Sequence, residues 1–326
     1  MMRRVRYHAY GGPEVLQVEE TEVPVPGEGQ VLVKTEAVGA NFVDTKYRQG
    51  PEAGEIFQRP LPGKLTGDVV GTVEAVGEGV EGFAVGERIA ALAAEDAYAD
   101  YVLATAQWIV KVDEGIDNGS ATMLPMGAPV ALRALRTGNF TPGESVLVHS
   151  AAGGIGHLAV QIAKLLGAGT VVATAGSDAK LEFARGHGAD VAVNYTEKNW
   201  TDQVRAAVPG GVDVVLDAVG GDILQRSFEV LAPYGRAVTY GAAGGDLISV
   251  PVTSIFALKS LAGFNLTAWR MARPEQARAE MDELAGYFAA GRLTTSVHAT
   301  VPLDEAAEAH RLLDDRAALG RVLLVP

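Results

Sequence analysis

The chain has 326 residues, enough for two modest domains or one large one with a buried core. Apolar residues make up 48% and charged residues 21%, as in an ordinary globular enzyme, and the net charge of −13 argues against nucleic acid or an anionic membrane surface as a partner, since either repels it at long range. There is no cysteine, which removes disulfides, thiolate metal sites and cysteine nucleophiles; no apolar run follows the basic N-terminus and none is long enough to span a membrane, so a soluble cytoplasmic protein is expected.

The first third reads as β-rich. Residues 31–38 and 68–76 are partly alternating apolar runs bounded by turn signals such as Pro26-Gly27 and Gly77-Glu78-Gly79, and residues 86–90 open another short strand. The pattern changes near residue 120. Strand candidates at 145–149, 170–174, 190–193, 212–217 and 236–240 alternate with helical segments at 155–166, 178–186, 202–208 and 223–231. These strands are almost continuously apolar, as strands buried on both faces are, which implies a parallel sheet covered by helices on each side. The tail reads as a helix at 275–290, a β segment near 295–301, a helix at 303–314 and a last strand at 321–325, whose apolar residues are expected to complete the N-terminal β domain. The fold class is α/β, a doubly wound parallel Rossmann sheet plus a β-rich domain.

Ser150-Ala151-Ala152-Gly153-Gly154-Ile155-Gly156 lies between a predicted strand and a predicted helix. A dinucleotide pyrophosphate needs this arrangement: a tight turn without Cβ atoms, backbone close to the phosphates, and free N–H groups at a helix N-terminus. The next strand ends Ala173-Thr174-Ala175-Gly176-Ser177, with no acid at its tip to accept from the ribose hydroxyls. Ser177 and Lys180 can instead hold a 2′-phosphate, and Tyr195 can add a hydroxyl or a stacking face, which points to NADPH. A plainer reading has Ser177 and Asp178 capping a helix and Lys180 solvated.

The chain resembles the zinc-free medium-chain dehydrogenases/reductases, specifically the quinone oxidoreductase group that includes zeta-crystallin. The likeness runs the whole length, through Tyr10-Gly-Gly-Pro-Glu-Val-Leu16, Pro26-Gly-Glu-Gly-Gln-Val-Leu-Val33, Ala40-Asn-Phe-Val-Asp-Thr45, Gly71-Thr-Val-Glu-Ala-Val-Gly-Glu-Gly-Val80, the glycine-rich turn and Val214-Val-Leu-Asp-Ala-Val-Gly220. It implies a GroES-like catalytic domain made of 1–121 and 268–326, a Rossmann domain at 122–267, an active site in the cleft between them, and a homodimer joined through the Rossmann sheet edge near 258–266. That edge is also a plausible pairing strand on its own terms, being apolar and otherwise unpaired.

The resemblance further maps Gly153, Gly154, Ile155, Ser177, Lys180 and Tyr195, with Ala152 in the same turn, to the diphosphate and adenosine end of NADPH. Val219 and Gly241 map beside the nicotinamide, and Phe264, Asn265 and Arg321 are further expected contacts. The family's active-site Asn is matched by Asn41. Its Tyr position holds Lys46, with Tyr47 next door; either a charge from Lys46 polarises the acceptor oxygen, or Lys46 faces solvent while Tyr47 packs. Asp44, spaced to share a helical face with Asn41, is expected to cap a helical turn. Val130 stands where the family commonly has Thr near the nicotinamide. The loop at 50–62 is either a pocket wall or an ordinary surface loop. The six histidines form no metal-ligand spacing, so no zinc site is expected. The function implied is NADPH-dependent reduction of a small-molecule quinone or an α,β-unsaturated carbonyl. Reduction of an enoyl thioester or polyketide, and non-catalytic NADPH binding as in crystallin or scaffold relatives, are the alternatives.

Overall fold

A computed structural model of the chain describes residues 1–245 and 249–326. It divides into two compact units, Met1–Met126 with Met281–Pro326, and Gly127–Glu280. In chain order the first stretch carries β1 (Met2–Tyr7), β2 (Leu16–Thr21), β3 (Gln30–Gly39), α1 (Phe42–Gln49), β4 (Gly63–Lys64), β5 (Gly67–Val76), β6 (Arg88–Ala93), β7 (Tyr101–Thr105), β8 (Val110–Lys111) and α2 (Asn118–Ala121). The middle carries α3 (Gly127–Thr137), β9 (Ser145–Val148), α4 (Gly156–Leu165), β10 (Thr170–Ala175), α5 (Asp178–Gly186), β11 (Val191–Asn194), α6 (Trp200–Ala207), β12 (Val212–Asp217), α7 (Gly221–Val230), β13 (Leu231–Thr239), β14 (Ser260–Gly263) and α8 (Leu266–Ala272). Then follow α9 (Pro274–Ala289), β15 (Val297–Pro302), α10 (Ala306–Asp314) and β16 (Arg321–Val325). Among the described residues no helix is long and apolar enough to cross a membrane.

The first unit is built on a seven-stranded sheet, β15-β16-β3-β5-β6-β8 with β7 also on β3, and a smaller β2-β1-β4 sheet. The tail enters it directly, because β16 pairs antiparallel with β3 through Leu323–Gly39 and Leu324–Val38. Register shifts between Leu32 and Val33 and between Thr35 and Ala37 break the alternation of β3, which is why its sequence alternates only in part. Gly71, which interrupts the apolar run of β5, is required: a Cβ there would lie 2.1 Å from the Lys34 carbonyl oxygen of the neighbouring strand. Three of the six residues of β1 are arginines, and these pair with Asp100, Glu19 and Asp96 from other strands and loops. Their charge hides from the sequence a strand whose Met2, Val5 and Tyr7 are buried.

The second unit is a six-stranded parallel sheet in the order β11-β10-β9-β12-β13-β14. Helices α4 to α7 fill the crossovers between successive strands, the doubly wound arrangement in which strand order reverses beside β9. All four residues of β9 are buried, as a central strand covered on both faces must be. The expected alternation is present, with boundaries moved by a residue or two except at β13, which begins at Leu231, five residues before the expected start at 236. Helix α6 starts at Trp200 rather than 202, since Trp200 is wholly buried and packs edge-on to His149, centroids 5.5 Å apart. The expected helix at 303–314 begins as a 3-10 turn, Leu303–Glu305, directly after Pro302. Asp44 caps no helix. It lies inside α1, wholly buried, and accepts hydrogen bonds from Thr66 N at 2.7 Å and Thr66 Oγ1 at 2.9 Å.

Candidate functional site

The turn after β9 is constrained at both ends. Ser150 adopts φ +52°, the left-handed region that a non-glycine residue rarely occupies. Its carbonyl points back at the helix: a Cβ on Gly156 would stand 2.2 Å from Ser150 O and 2.8 Å from Ala151 Cα, so only glycine lets α4 start this close to the strand end. A Cβ on Gly153 would stand 3.4 Å from the same oxygen. Within the turn, Ala151 N donates to Thr174 O and Gly153 N to Ser150 O, both at 3.0 Å. Among the described residues no acceptor reaches the N–H groups of Ala152, Gly154 and Ile155, and no side chain caps α4. Three unpartnered amides at the positive end of a ten-residue helix form an anion cradle.

The turn is braced from beneath by His149, wholly buried between Thr174 Oγ1 and Ser227 Oγ, each 2.7 Å away. Ser227 gives its own proton to Ile223 O at 2.6 Å, so it accepts from His149 Nε2–H, and Nδ1 accepts from Thr174. Burial drives the imidazole pKa down to about 3 and keeps it neutral. No motif marked this residue, although a histidine ending an apolar strand was a usable signal.

Beyond β10 the chain turns at Gly176. Ser177 is exposed and precedes α5 without a side-chain cap bond, so its hydroxyl is not engaged as a helix cap. Lys180 is half-buried one helical turn later. Tyr195, whose N–H donates to Ala175 O at 3.2 Å, brings its ring to 3.6 Å from where a Gly176 Cβ would be. Ser177, Lys180 and Tyr195 therefore gather at one corner of the sheet. Asp178 is exposed in the first turn of α5.

Val219 and Gly241 sit just past the C-terminal ends of β12 and β13, where ligands of doubly wound sheets bind. The buried Asp217 shapes this end by accepting from Val219 N and Gly220 N at 3.1 Å and from Thr239 Oγ1 at 3.1 Å. Burial raises its pKa against those hydrogen bonds. Phe264 is tied to the same edge through Phe264 N to Thr239 O at 2.9 Å. Asn265 caps α8, its Oδ1 accepting from Ala268 N at 2.9 Å, so that oxygen is committed locally. Val130 is buried in α3 and brings no hydroxyl to replace the family's Thr.

In the first unit Asn41 opens α1, and its Oδ1 accepts from Arg321 Nη1 at 2.8 Å. Arg321, expected among the cofactor contacts, is instead buried inside this unit, with Nη2 2.5 Å from Asp68 Oδ2. Gly39 leaves room for it, since a Cβ there would lie 1.7 Å from Arg321 Nη2. Its charge orients Asn41 and neutralises Asp68. Lys46 and Tyr47 diverge, as adjacent helical residues do. Lys46 Nζ donates to Gln49 Oε1 at 3.1 Å and lies 5.1 Å from the Phe42 ring, and burial lowers its pKa with help from Arg316 and Arg48. The Tyr47 ring turns the other way, 6.3 Å from Phe57 and under the Arg59 guanidinium at 4.1 Å. The loop at 50–62 thus packs onto α1. Arg59, Asp68 and Asp217 carry no motif; Asp68 acquires its role only from Arg321, far along the chain, and Asp217 from the turn that follows its strand and from Thr239.

Comparison with known proteins accords with this geometry. Residues 27–114 match the family model of the alcohol dehydrogenase GroES-like domain, and residues 154–285 that of the zinc-binding dehydrogenases. A 2-haloacrylate reductase from a Burkholderia species is 35% identical, with 98% of this chain and 97% of the relative covered. A quinone oxidoreductase from Pseudomonas aeruginosa is 34% identical, with both chains covered in full at 100%. A mycobacterial protein solved in complex with NADPH superposes with a TM-score of 0.91 at 32% identity, covering 100% of each chain. The chain belongs to the quinone oxidoreductase family of the medium-chain dehydrogenases/reductases, and it is an oxidoreductase.

Proposed function

We propose that this protein uses NADPH to reduce a small conjugated carbonyl compound, a quinone or an α,β-unsaturated carbonyl, without zinc. The observation that carries the reading is the cradle at α4: three amides without intrachain acceptors among the described residues, beside a glycine whose Cβ would meet backbone at 2.2 Å. Ala152, Gly153, Gly154 and Ile155 would hold the diphosphate. Ser177, Lys180 and Tyr195 would hold the adenosine end, with a hydroxyl and a cation for the 2′-phosphate and a ring for stacking. Val219, Gly241 and Phe264 would line the nicotinamide end, and Asn41 and Tyr47 would face the acceptor. NADPH supplies a hydride at nicotinamide C4: the acceptor takes that hydride and a proton from a site residue or water, giving the saturated carbonyl or hydroquinone and NADP⁺. The lack of cysteine, the thiolate ligand of zinc sites, favours polarisation of the acceptor by side chains. The relatives' names, quinone oxidoreductase and 2-haloacrylate reductase, frame the acceptor as a conjugated carbonyl. We further infer a cytoplasmic homodimer joined along β14.

Two measurements test this. Steady-state NADPH oxidation should be seen with at least one acceptor in a panel of quinones, enones and enoates, and tight NADPH binding with no turnover on any of them would defeat the enzymatic reading. Lys180→Ala should weaken NADPH by about tenfold or more, the loss expected for a charge-assisted contact, while leaving NADH nearly unaffected. Equal losses for both would overturn the 2′-phosphate assignment.

A further inference from the structure

Acids outnumber bases 40 to 27 in this chain, and most arginines of the first unit sit on carboxylates. Arg59 does not. Its Nη1 donates to Ile56 O at 3.1 Å and Gln58 O at 2.9 Å. Its own carbonyl accepts from the Tyr10 hydroxyl, and its Cζ lies over the Tyr47 ring, 4.1 Å from the ring centre. These contacts use one nitrogen. The opposite edge, Nε–H with Nη2–H, meets no acceptor among the described residues. That edge is the side-on fork of a guanidinium, and its two parallel donors match the two oxygens of a carboxylate. A cation already held by these contacts costs a ligand little further side-chain ordering.

We propose that Arg59 is the specificity residue for a carboxylate on the acceptor, so that the preferred substrate is the anion of an α,β-unsaturated acid. This rests on the reductase reading and on Tyr47 facing the acceptor. The carboxylate would take the Nε/Nη2 edge bidentately, with the Tyr47 ring beneath the guanidinium. Lys46, turned toward Gln49 on another face of α1, takes no part.

The test compares acrylate, 2-chloroacrylate and crotonate, each against its own methyl ester, in wild type, Arg59→Gln and Arg59→Lys. In Arg59→Gln the ratio of kcat/KM for acid over ester should fall about 10- to 100-fold, the worth of hydrogen bonds to a charged group, carried mainly by KM. Arg59→Lys should recover part of it. A ratio within twofold of wild type, or a parallel loss on acid and ester, overturns the proposal, because a structural role would move both substrates together. NADPH affinity in Arg59→Gln distinguishes a carboxylate from a cofactor phosphate on the same edge: a drop matching the loss on the acids also overturns it. If wild type reduces nothing, the reductase reading fails, and calorimetric binding of crotonate to wild type against Arg59→Gln then decides the anion site alone.

Discussion

At the scale of single residues, the site is governed by close approaches that the backbone cannot relax. Gly156 meets Ser150 O, a backbone atom of a residue already held at positive φ, so neither side can yield cheaply. Gly156→Ala is expected to destabilise the protein by about 1–3 kcal/mol, as overpacking does, and to weaken nucleotide binding with it. Gly153→Ala, facing 3.4 Å, should be the milder change in both. Thermal melting with fluorescence titration of NADPH checks the order, and a reversed order would contradict the geometry of the turn. The Arg321–Asn41–Asp68 set belongs to this scale too. A buried guanidinium that orients an amide on one side and balances a carboxylate on the other makes the direction of Asn41 a property of three residues, far apart in sequence.

At the scale of elements, legibility in the sequence followed the physics of burial. Strands β9, β10 and β12 are covered on both faces and read as nearly continuous apolar runs, so their positions are visible without any partner being known. Strand β1 is not visible in that way, since Arg3, Arg4 and Arg6 make sense only beside Asp100, Glu19 and Asp96. The same contrast holds for the site. The glycine turn is local and was readable. The divergence of Lys46 from Tyr47, the inward position of Arg321 and the stacking of Arg59 depend on chain segments that return from elsewhere, and no spacing rule reports them. The edge strand β14 shows both sides: its apolar character is evident, but it spans only Ser260–Gly263, and Leu266 already opens α8. Exposed Tyr234, Phe256 and Leu258 lie beside it and exposed Leu261 within it, and Tyr234 N donates to Leu258 O at 2.6 Å, so this apolar corner is pinned in place. A second copy pairing along β14 would cover it. Light scattering should give the mass of a dimer for wild type and of a monomer for Leu261→Glu, and a monomeric wild type would refute the dimer.

At the scale of the whole molecule, buried ionisable groups set opposing pH dependences. His149 and His310 are held neutral, their pKa values pushed down to about 3 by burial, so the stability they permit is fully present above about 6.5 and is lost as pH falls toward 3. Asp44 works the other way. Burial, aided by the charge of Asp68, lifts its pKa to about 7 against the hydrogen bonds from Thr66 and the charge of Arg321. Its folded value exceeds its unfolded one, so the native state binds the proton more tightly, and stability is lost as pH rises from about 4 to 7. The melting-temperature difference between Asp44→Asn and wild type should therefore be more favourable to the variant at pH 8 than at pH 4. A difference independent of pH would show that Asp44 ionises without penalty.

The pairing of β16 with β3 has a consequence in time. During synthesis β3 leaves the ribosome early, but the edge that β16 covers stays open until nearly all of the described chain has been made. The unit Gly127–Glu280 is contiguous, by contrast, and each of its strands finds a neighbour within a few tens of residues. Nascent chains should thus acquire the parallel-sheet unit first and close the other unit last, with β3 a momentary liability for wrong pairing that a holding chaperone would shield.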